Sequence, residues 1–512
     1  MQYYLLEKRN QANLVLNALA KTFKIEKNTV NKENRRYYDS VDWRLLRQNL
    51  CLYHAEKQLH LGNLNYNLTI ANFPFGNLPQ TLFVKELPAS SLKNRLKPII
   101  DVRALIHQLS EKCTAQEIYL LNTDDKRVVR LCFRRSILLR DQKESPLNQT
   151  LQVNPIRGYE KESEMAQEII RDFGIESLSD SLFRRLIGTA GIKPERHSSK
   201  IKFDFQDTIP IGEALQKIFI QFAEVMKRNE AGIRKDIDIE FLHDFRVAVR
   251  RTRSLMSQAK SIIPAREGAY FKIKFADLQK KTNNLRDLDV FLLKEQPFKK
   301  ILPVSLKKSL DSLFDDIRQQ RRNAQQNVAE LLVSKEYREM MKEWSHFLRA
   351  GQLLSHPEAK TPVVRFAKKV IRKRLKRVLL EMNNLIIGSP QDGQIHALRI
   401  EAKKLRYLLE FFSSIFPVQE MNEIVDHLKG VQDLLGSYND LVIQSRDLEK
   451  RLSELNFSNK TASRTAAAFG GLLTHFTQEK VAIKKQLKKT FQLINDPTQI
   501  KKYQSLFNYR IK

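Results

Sequence analysis

The sequence HDFRVAVRRTR at residues 243–253 recurs as the similar sequence HALRIEAKKLR at residues 396–406, 153 positions later. In both copies a histidine is followed by three cations at spacings of three, four and three residues, which is the spacing of one face of an α-helix. Each copy therefore predicts a helix that carries a basic stripe about 15 Å long. The stripe residues are His243, Arg246, Arg250 and Arg253 in the first copy, and His396, Arg399, Lys403 and Arg406 in the second.

An apolar stripe with the same spacing runs beside each basic stripe. Because an amphipathic helix buries its apolar face, we expect both helices to pack into a core and to hold their cations rigidly at its edge. The apolar positions are Leu242, Phe245, Val249, Thr252 and Met256 in the first copy, and Ile395, Leu398, Ala402, Leu405 and Leu409 in the second.

Two interpretations of the basic stripes compete: an ordinary solvated helix face and a binding site for an anion. Solvated faces usually place acids three or four residues from their cations. Asp244 has no basic residue three or four positions after it, and Glu401 reaches only Lys404, which lies off the stripe. A line of uncompensated charge suits an extended polyanion better than a single phosphate, and Arg can grip two phosphate oxygens at once.

A third basic run, RFAKKVIRKRLKR at residues 365–377, contains eight cations and no acid. Lys369, Arg372 and Lys376 share one face of the predicted helix. Part of this run is expected to be plain solvated surface. Its position before the second histidine helix predicts that these three residues form the second wall of a binding groove.

The composition narrows the class of protein and partner. The chain has 89 Lys and Arg against 58 Asp and Glu, a net charge of +31, which favours an acidic partner. Three cysteines without a CxxC pair argue against a disulfide framework or a cysteine zinc site. The N-terminus lacks the apolar core of a signal peptide, and no apolar run is long enough to span a membrane, so we expect a cytoplasmic protein.

The chain divides into two parts of different character. Residues 1–190 alternate short β-like runs with turns and a few helices, one of them expected at Ile99–Glu111, and predict an α+β domain with an antiparallel sheet or barrel. Residues 191–209 are the expected linker. Residues 210–500 are helical almost without interruption, with one helix expected near 268–294. They predict a mainly α domain of two repeats, about 210–350 and 361–500.

The helical part resembles the CHAD family, which is named for its conserved-histidine α-helical domain. The two histidine runs look like that family's two histidine motifs, and LRDLDV at 285–290 and LKGVQDLLGSYNDL at 428–441 resemble its other two signatures. The resemblance covers about residues 212–500. It implies two four-helix bundles related by pseudo-twofold symmetry, with a basic groove that binds inorganic polyphosphate through the stripe residues.

Residues 1–190 resemble, in degenerate form, the CYTH family of triphosphate tunnel enzymes. The similarity lies in YYDSVDWRLLRQNLCL at residues 37–52. The resemblance implies a barrel whose inward acids hold a divalent metal, but of the family's opening acidic motif only Glu7 is a candidate metal ligand. Hydrolysis with Mg²⁺ or Mn²⁺ needs several oxygen ligands, which are scarce here.

We therefore expect a non-catalytic protein that binds inorganic polyphosphate and needs no cofactor, with cytoplasmic polyphosphate granules as a candidate location. Two alternatives stay open. One is a triphosphatase that uses Mg²⁺ or Mn²⁺ in the N-terminal domain. The other is non-specific binding of RNA or DNA through the same cations, although no nucleic-acid-binding module is recognisable. The pattern does not point to a protein partner.

Overall fold

The computed structural model describes residues 2–8, 10–65, 68–76, 78–140, 143–178, 180–194, 201, 203–388, 390–455 and 460–507. The chain divides into two compact units, Met1–Ser199 and Lys200–Lys512. Among the described residues, no helix has the length and apolar character needed to cross a membrane.

The N-terminal unit is an α+β fold built on one antiparallel sheet, as expected. Its described strands lie in the order β1-β10-β8-β7-β2-β3-β4-β5, with β6 paired to β7 and β9 paired to β8. In chain order the elements are β1 Gln2–Leu6, α1 Gln11–Leu19, β2 Lys24–Asp39, β3 Leu50–Ala55, β4 Gln58–Asn63, β5 Leu68–Pro74, β6 Thr81–Phe83, α2 Ser91–Ile100, β7 Ala104–Leu121, β8 Arg127–Arg140, β9 Lys143–Pro146, β10 Gln149–Pro155, α3 Glu160–Asp172 and α4 Leu182–Thr189.

The helix expected at Ile99–Glu111 is wrong. Helix α2 ends at Ile100, and strand β7 begins at Ala104 and pairs with both β2 and β8. Leu105 and Leu109 are both fully buried. Their separation of four residues fits one face of a strand as well as one face of a helix, so the local pattern could not decide between the two.

The C-terminal unit is mainly α and consists of two pseudo-symmetric four-helix bundles, as expected. Helices α5, α6, α7–α8 and α11 form the first, and α13, α14, α15 and α16 form the second. The helices are α5 Ile211–Arg234, α6 Ile239–Gln258, α7 Ala265–Lys281, α8 Asn283–Leu292, α9 Glu295–Ile301, α10 Val304–Lys307, α11 Asp311–Val333, α12 Lys335–Arg349, α13 Val363–Ile387, α14 Asp392–Phe411, α15 Val418–Ser453, α16 Lys460–Ile494 and α17 Pro497–Phe507.

The offset of 153 residues that relates the sequence motifs also relates the helices. Both α6 and α14 contain 20 residues, and their first residues are 153 positions apart. The first residues of α7 and α15 have the same separation. The apolar stripes of α6 and α14 are buried throughout, from Leu242 to Met256 and from Ile395 to Leu409. The prediction that these stripes enter the core is therefore confirmed.

The two bundles differ at one point. The single helix expected near 268–294 is divided at Thr282 into α7 and α8, whereas its counterpart α15 continues unbroken past Leu435, the equivalent position. The Thr282 hydroxyl donates back to the carbonyl of Leu278 at 3.0 Å. This interruption decides what the nearby arginines can do.

Candidate anion-binding seam

The two basic stripes meet where α6 packs against α14. Arg250 Nε donates to the Tyr407 hydroxyl at 2.8 Å, and Arg251 Nη2 donates to Glu410 at 2.5 Å. Asp238 fixes the start of α6 by accepting from the backbone N–H of Glu240 at 2.9 Å. We call the line of Arg246, Arg250, Arg253, Arg399, Lys403 and Arg406 along this contact the α6–α14 seam.

Arg246, in the first repeat, is bound to the break between α7 and α8. Its guanidinium donates to the Gln279 carbonyl at 2.9 Å, to the Thr282 hydroxyl at 2.6 Å and to Asn283 Oδ1 at 2.7 Å. The last carbonyls of a helix have no partner within it, so an arginine placed there satisfies groups that the break exposes. Arg253 Nη1 donates to Gln279 Oε1 at 2.5 Å. Both cations therefore brace the fold.

Arg399, at the position equivalent to Arg246, has no such acceptors because α15 is continuous there. It is half-buried, and within the described part of the chain it makes no hydrogen bond. Its Nε is among the buried nitrogens that lack a partner. Burial lowers the pKa of its guanidinium, and Asp440 opposes this effect. A half-buried cation in this state is stabilised by an anion that supplies the missing acceptors.

Lys403 is the seam residue whose charged form is most strongly disfavoured. It is half-buried and, like Arg399, has no hydrogen-bond partner among the residues that the structure describes. Burial, followed by the neighbouring Arg250, Arg399 and Arg406, lowers the pKa of its ammonium group to about 7, and Asp440 acts in the opposite direction. The seam is thus short of negative charge at its centre.

Glu410 supplies negative charge at one end of the seam. Arg406 Nε lies 3.0 Å from Glu410 Oε1, while Arg251 binds the other carboxylate oxygen. Both guanidinium groups also lie over the ring of buried Tyr407, with 5.4 Å from Arg251 and 5.9 Å from Arg406 to its centroid. Sequence reasoning did not single out Tyr407, although the sequence holds a signal: an aromatic residue follows the stripe in the second copy, where the first has Ser254.

The two histidines occupy equivalent places near the starts of α6 and α14. His396 is exposed, and its Nδ1 lies 2.6 Å from Asn439 Oδ1. With the amide oxygen as acceptor, Nδ1 carries the proton, which leaves Nε2 available to a ligand. His243 is half-buried.

The structure does not place the cations of the third basic run, at residues 365–377, beside the two histidine-containing stripes. Lys369, Arg372 and Lys376 are exposed on α13. Arg374 is one of the residues that link α13 to the neighbouring helices, since it donates to Glu401 of α14 and to Gln258 of α6. An α-helix turns about 100° per residue, so Arg374 lies roughly half a turn from the third stripe. These three cations therefore occupy the outer face of α13.

Two acidic residues near the seam, Asp289 and Asp287, interact with arginines. Asp289 Oδ1 accepts from Arg321 at 2.9 Å, and burial raises the pKa of Asp289 to about 6. Burial also raises the pKa of Asp287, which faces Arg246 and Arg286. Within the described ranges, no group of three or more His, Cys, Asp or Glu side chains is placed to hold a metal ion.

The N-terminal sheet has a polar face whose acids are also paired. Glu33 binds Arg35 at 2.7 Å, and Glu111 accepts from the hydroxyls of Tyr37 at 2.7 Å and Ser136 at 2.5 Å. Glu7, the candidate metal ligand, is exposed just beyond the end of β1. This arrangement does not fit Mg²⁺ or Mn²⁺, which require several carboxylate or carbonyl oxygens directed at one point.

Comparison with known proteins identifies the helical unit. The family model of the CHAD domain matches residues 217–449. A crystal structure of the CHAD domain from the plant Ricinus communis is 21% identical, with a TM-score of 0.49, and the match covers 57% of this chain and 95% of that one. PptA from Streptomyces chartreusis is 15% identical, with a TM-score of 0.42, and the match covers 55% of this chain and 99% of that one. No curated protein matches the sequence. The family match to residues 217–449, which contain both stripes, shows that this chain carries a CHAD domain.

Proposed function

We propose that this protein binds inorganic polyphosphate along the α6–α14 seam and catalyses no reaction there. The observation that carries the proposal is the lack of hydrogen-bond partners for two cations of the second repeat among the described residues. Arg399 and Lys403 are half-buried, have no hydrogen-bond partner among the described residues and lie in a row of like charges. Such a row costs free energy in the empty protein, and a bound polyanion removes that cost.

The length of the seam favours a polymer over a single phosphate. The stripe on each helix extends for about 15 Å, so one orthophosphate can engage only part of it. The helices are anchored in the core, and the cations are therefore held in place before the ligand arrives. A chain of phosphates can contact several of them at once, and each contact releases a counterion.

The chemistry of the seam favours inorganic polyphosphate over nucleic acid. Proteins that bind single-stranded nucleic acids usually offer exposed aromatic side chains on which bases stack. The aromatic residue at this seam, Tyr407, is buried and already contacts Arg250, Arg251 and Arg406. Among the residues that the structure describes, the seam thus offers charge for phosphates without an exposed aromatic surface for stacking. RNA and DNA are expected to bind through non-specific electrostatics alone.

The triphosphatase alternative gains no support from the geometry of the N-terminal unit. Glu33 and Glu111 are occupied by Arg35, Tyr37 and Ser136, and Glu7 lies outside the sheet. Polyphosphate binding further predicts a cytoplasmic location, at polyphosphate granules where a cell forms them.

A titration at fixed salt tests the proposal. Long polyphosphate should bind most tightly, tripolyphosphate and RNA less tightly, and orthophosphate least. The double variant Arg399→Gln, Lys403→Gln should lose most of the affinity for long polyphosphate. Lys489 and Lys501 are exposed on α16 and α17, and their double replacement by Gln is the charge-matched control. Equal affinity for orthophosphate and long chains, or equal losses in both variants, would overturn the assignment to the seam.

A further inference from the structure

The outer face of α13 is a second strongly basic surface, separate from the seam. Its cations are all exposed: Arg365, Lys369, Arg372, Lys373 and Lys376. The run from residue 365 to 377 contains no acid. Among the described residues, Lys369 and Lys376 take part in no ion pair. The five cations follow the helix for about 16 Å, and their mutual repulsion is not relieved within α13 itself.

The pseudo-symmetry of the two bundles shows which surface this face corresponds to. Helix α5 is the counterpart of α13 at the same offset of 153 residues. Ile218 and Phe222 of α5 are buried, as are Ile371 and Leu375 at the equivalent positions of α13. The two helices therefore have the same rotation about their axes, and their remaining faces can be compared position by position.

In the first repeat this face is covered by another helix. Gln216, Phe219 and Ala223 are the counterparts of Lys369, Arg372 and Lys376. Phe219 is fully buried, with its ring centroid 5.3 Å from that of Trp344 on α12. Gln216 donates to the carbonyl of Leu348, and Ala223 lines a cavity between α5 and α12.

In the second repeat the same face is exposed and cationic. The fold itself does not require cations there, because the equivalent positions of α5 are apolar or neutral and pack against α12. An exposed row of lysines and arginines cannot select a partner by shape, but it can hold any polyanion that is kept close to it. The seam on α14, the helix that packs beside α13, is the place where such a polyanion would be kept.

We propose that the outer face of α13 binds the part of a long polyphosphate chain that extends beyond the α6–α14 seam. This inference rests on the proposed function, since the seam must first hold the chain. A chain much longer than about 15 Å cannot be contained in the seam. Once one stretch is bound, the remainder is held near α13 at a high effective concentration, and weak exposed cations then add substantially to the overall affinity. The protein thereby discriminates long chains from short ones.

The test compares two chain lengths in two charge-matched variants of the full chain. One variant is Lys369→Gln, Lys373→Gln, Lys376→Gln. The control is Lys272→Gln, Lys489→Gln, Lys501→Gln, which removes three exposed lysines elsewhere. In the first variant, affinity for long polyphosphate should fall about tenfold, and the slope of log affinity against log salt should become shallower by about 2. Affinity for tripolyphosphate should stay within about twofold in both variants, because a short chain does not leave the seam.

The outcomes separate this inference from the function on which it rests. Equal losses for tripolyphosphate and long polyphosphate would overturn it, because the α13 cations would then act on the seam itself. Unchanged affinity for long chains would also overturn it, as would a loss confined to RNA, which would assign the face to nucleic acid. If the unmodified protein fails to prefer long polyphosphate over orthophosphate, the proposed function itself fails.

Discussion

Lowering the pH from 8 to 6 should tighten polyphosphate binding, and Lys403 should account for the change. In the free protein, burial and the neighbouring Arg250, Arg399 and Arg406 lower its pKa to about 7, while Asp440 on α15 opposes them. A polyphosphate bound in the seam adds negative charge beside the ammonium group. It therefore raises this pKa towards or above its ordinary value.

The size of the effect follows from proton linkage. With a pKa of about 7, roughly one tenth of the free Lys403 side chains are charged at pH 8 and about nine tenths at pH 6. If the bound form stays charged throughout, binding takes up about 0.9 proton at pH 8 and about 0.1 at pH 6. Affinity should then increase about tenfold over this range, which is about 1.4 kcal/mol.

Isothermal titration calorimetry in buffers of different ionisation enthalpy measures both the affinity and the proton uptake. Polyphosphate also titrates, so the informative quantity is the difference between the unmodified protein and Lys403→Arg, which keeps the charge but does not titrate in this range. The difference should approach 0.9 proton at pH 8. Parallel pH profiles in the two proteins would refute the reasoning.

The histidines His243 and His396 are the alternative source of this pH dependence. Under that hypothesis, bound phosphate favours the charged forms of His243 and His396, and the double variant His243→Gln, His396→Gln has a flat profile. A profile that is flat in the histidine variant but retained in Lys403→Arg would assign the titration to the histidines instead.

Three further predictions separate binding from stability. Arg246→Gln should lower the free energy of unfolding by about 2–3 kcal/mol, because three hydrogen bonds at the α7–α8 break are lost. Arg399→Gln should change the free energy of unfolding by no more than about 0.5 kcal/mol and should weaken polyphosphate binding. Thermal denaturation and titration measure the two effects, and the reverse pattern would contradict the structural role of Arg246. Lys403→Met should raise the melting temperature by a few degrees and reduce the affinity for polyphosphate. Between about pH 7 and pH 10 the Lys403 side chain keeps its proton in the unfolded chain but has lost it in the folded chain, so the free energy of unfolding of the unmodified protein should rise over this range. If neither the unmodified protein nor Lys403→Met shows this rise, the prediction fails. Tyr407→Phe removes the acceptor of Arg250 and should weaken binding about threefold to tenfold without altering the pH profile, as titration at two pH values would show.

Much of the helical fold could be predicted because it is encoded in local periodicity. The apolar positions of α6 and α14 repeat at the spacing of a helix, and every one of them is buried. The strand β7 could not be predicted in the same way. Leu105 and Leu109 satisfy both periods, and the pairing with β2 and β8 that decides between them lies far away in sequence.

The unequal roles of the two stripes could not be predicted from the motifs alone. Arg246 and Arg399 occupy identical positions in the repeat, yet the partners of Arg246 lie 33 to 37 residues further along the chain. Only the interruption at Thr282 provides those partners. The contact of Arg250 with Tyr407, 157 residues away, likewise depends on how the two bundles pack. The outer position of Lys369 follows from helix rotation, which the basic run itself does not specify.

The contact between α6 and α14 has an evolutionary consequence. Two identical copies of one repeat could meet through the same helix as a symmetric dimer, but every substitution would then appear on both sides of the interface. Joining the copies in one polypeptide removes that constraint. In this chain Arg246 braces the break between α7 and α8, whereas the equivalent Arg399 makes no hydrogen bond among the described residues. Because the two repeats lie in one polypeptide, equivalent residues can take different roles.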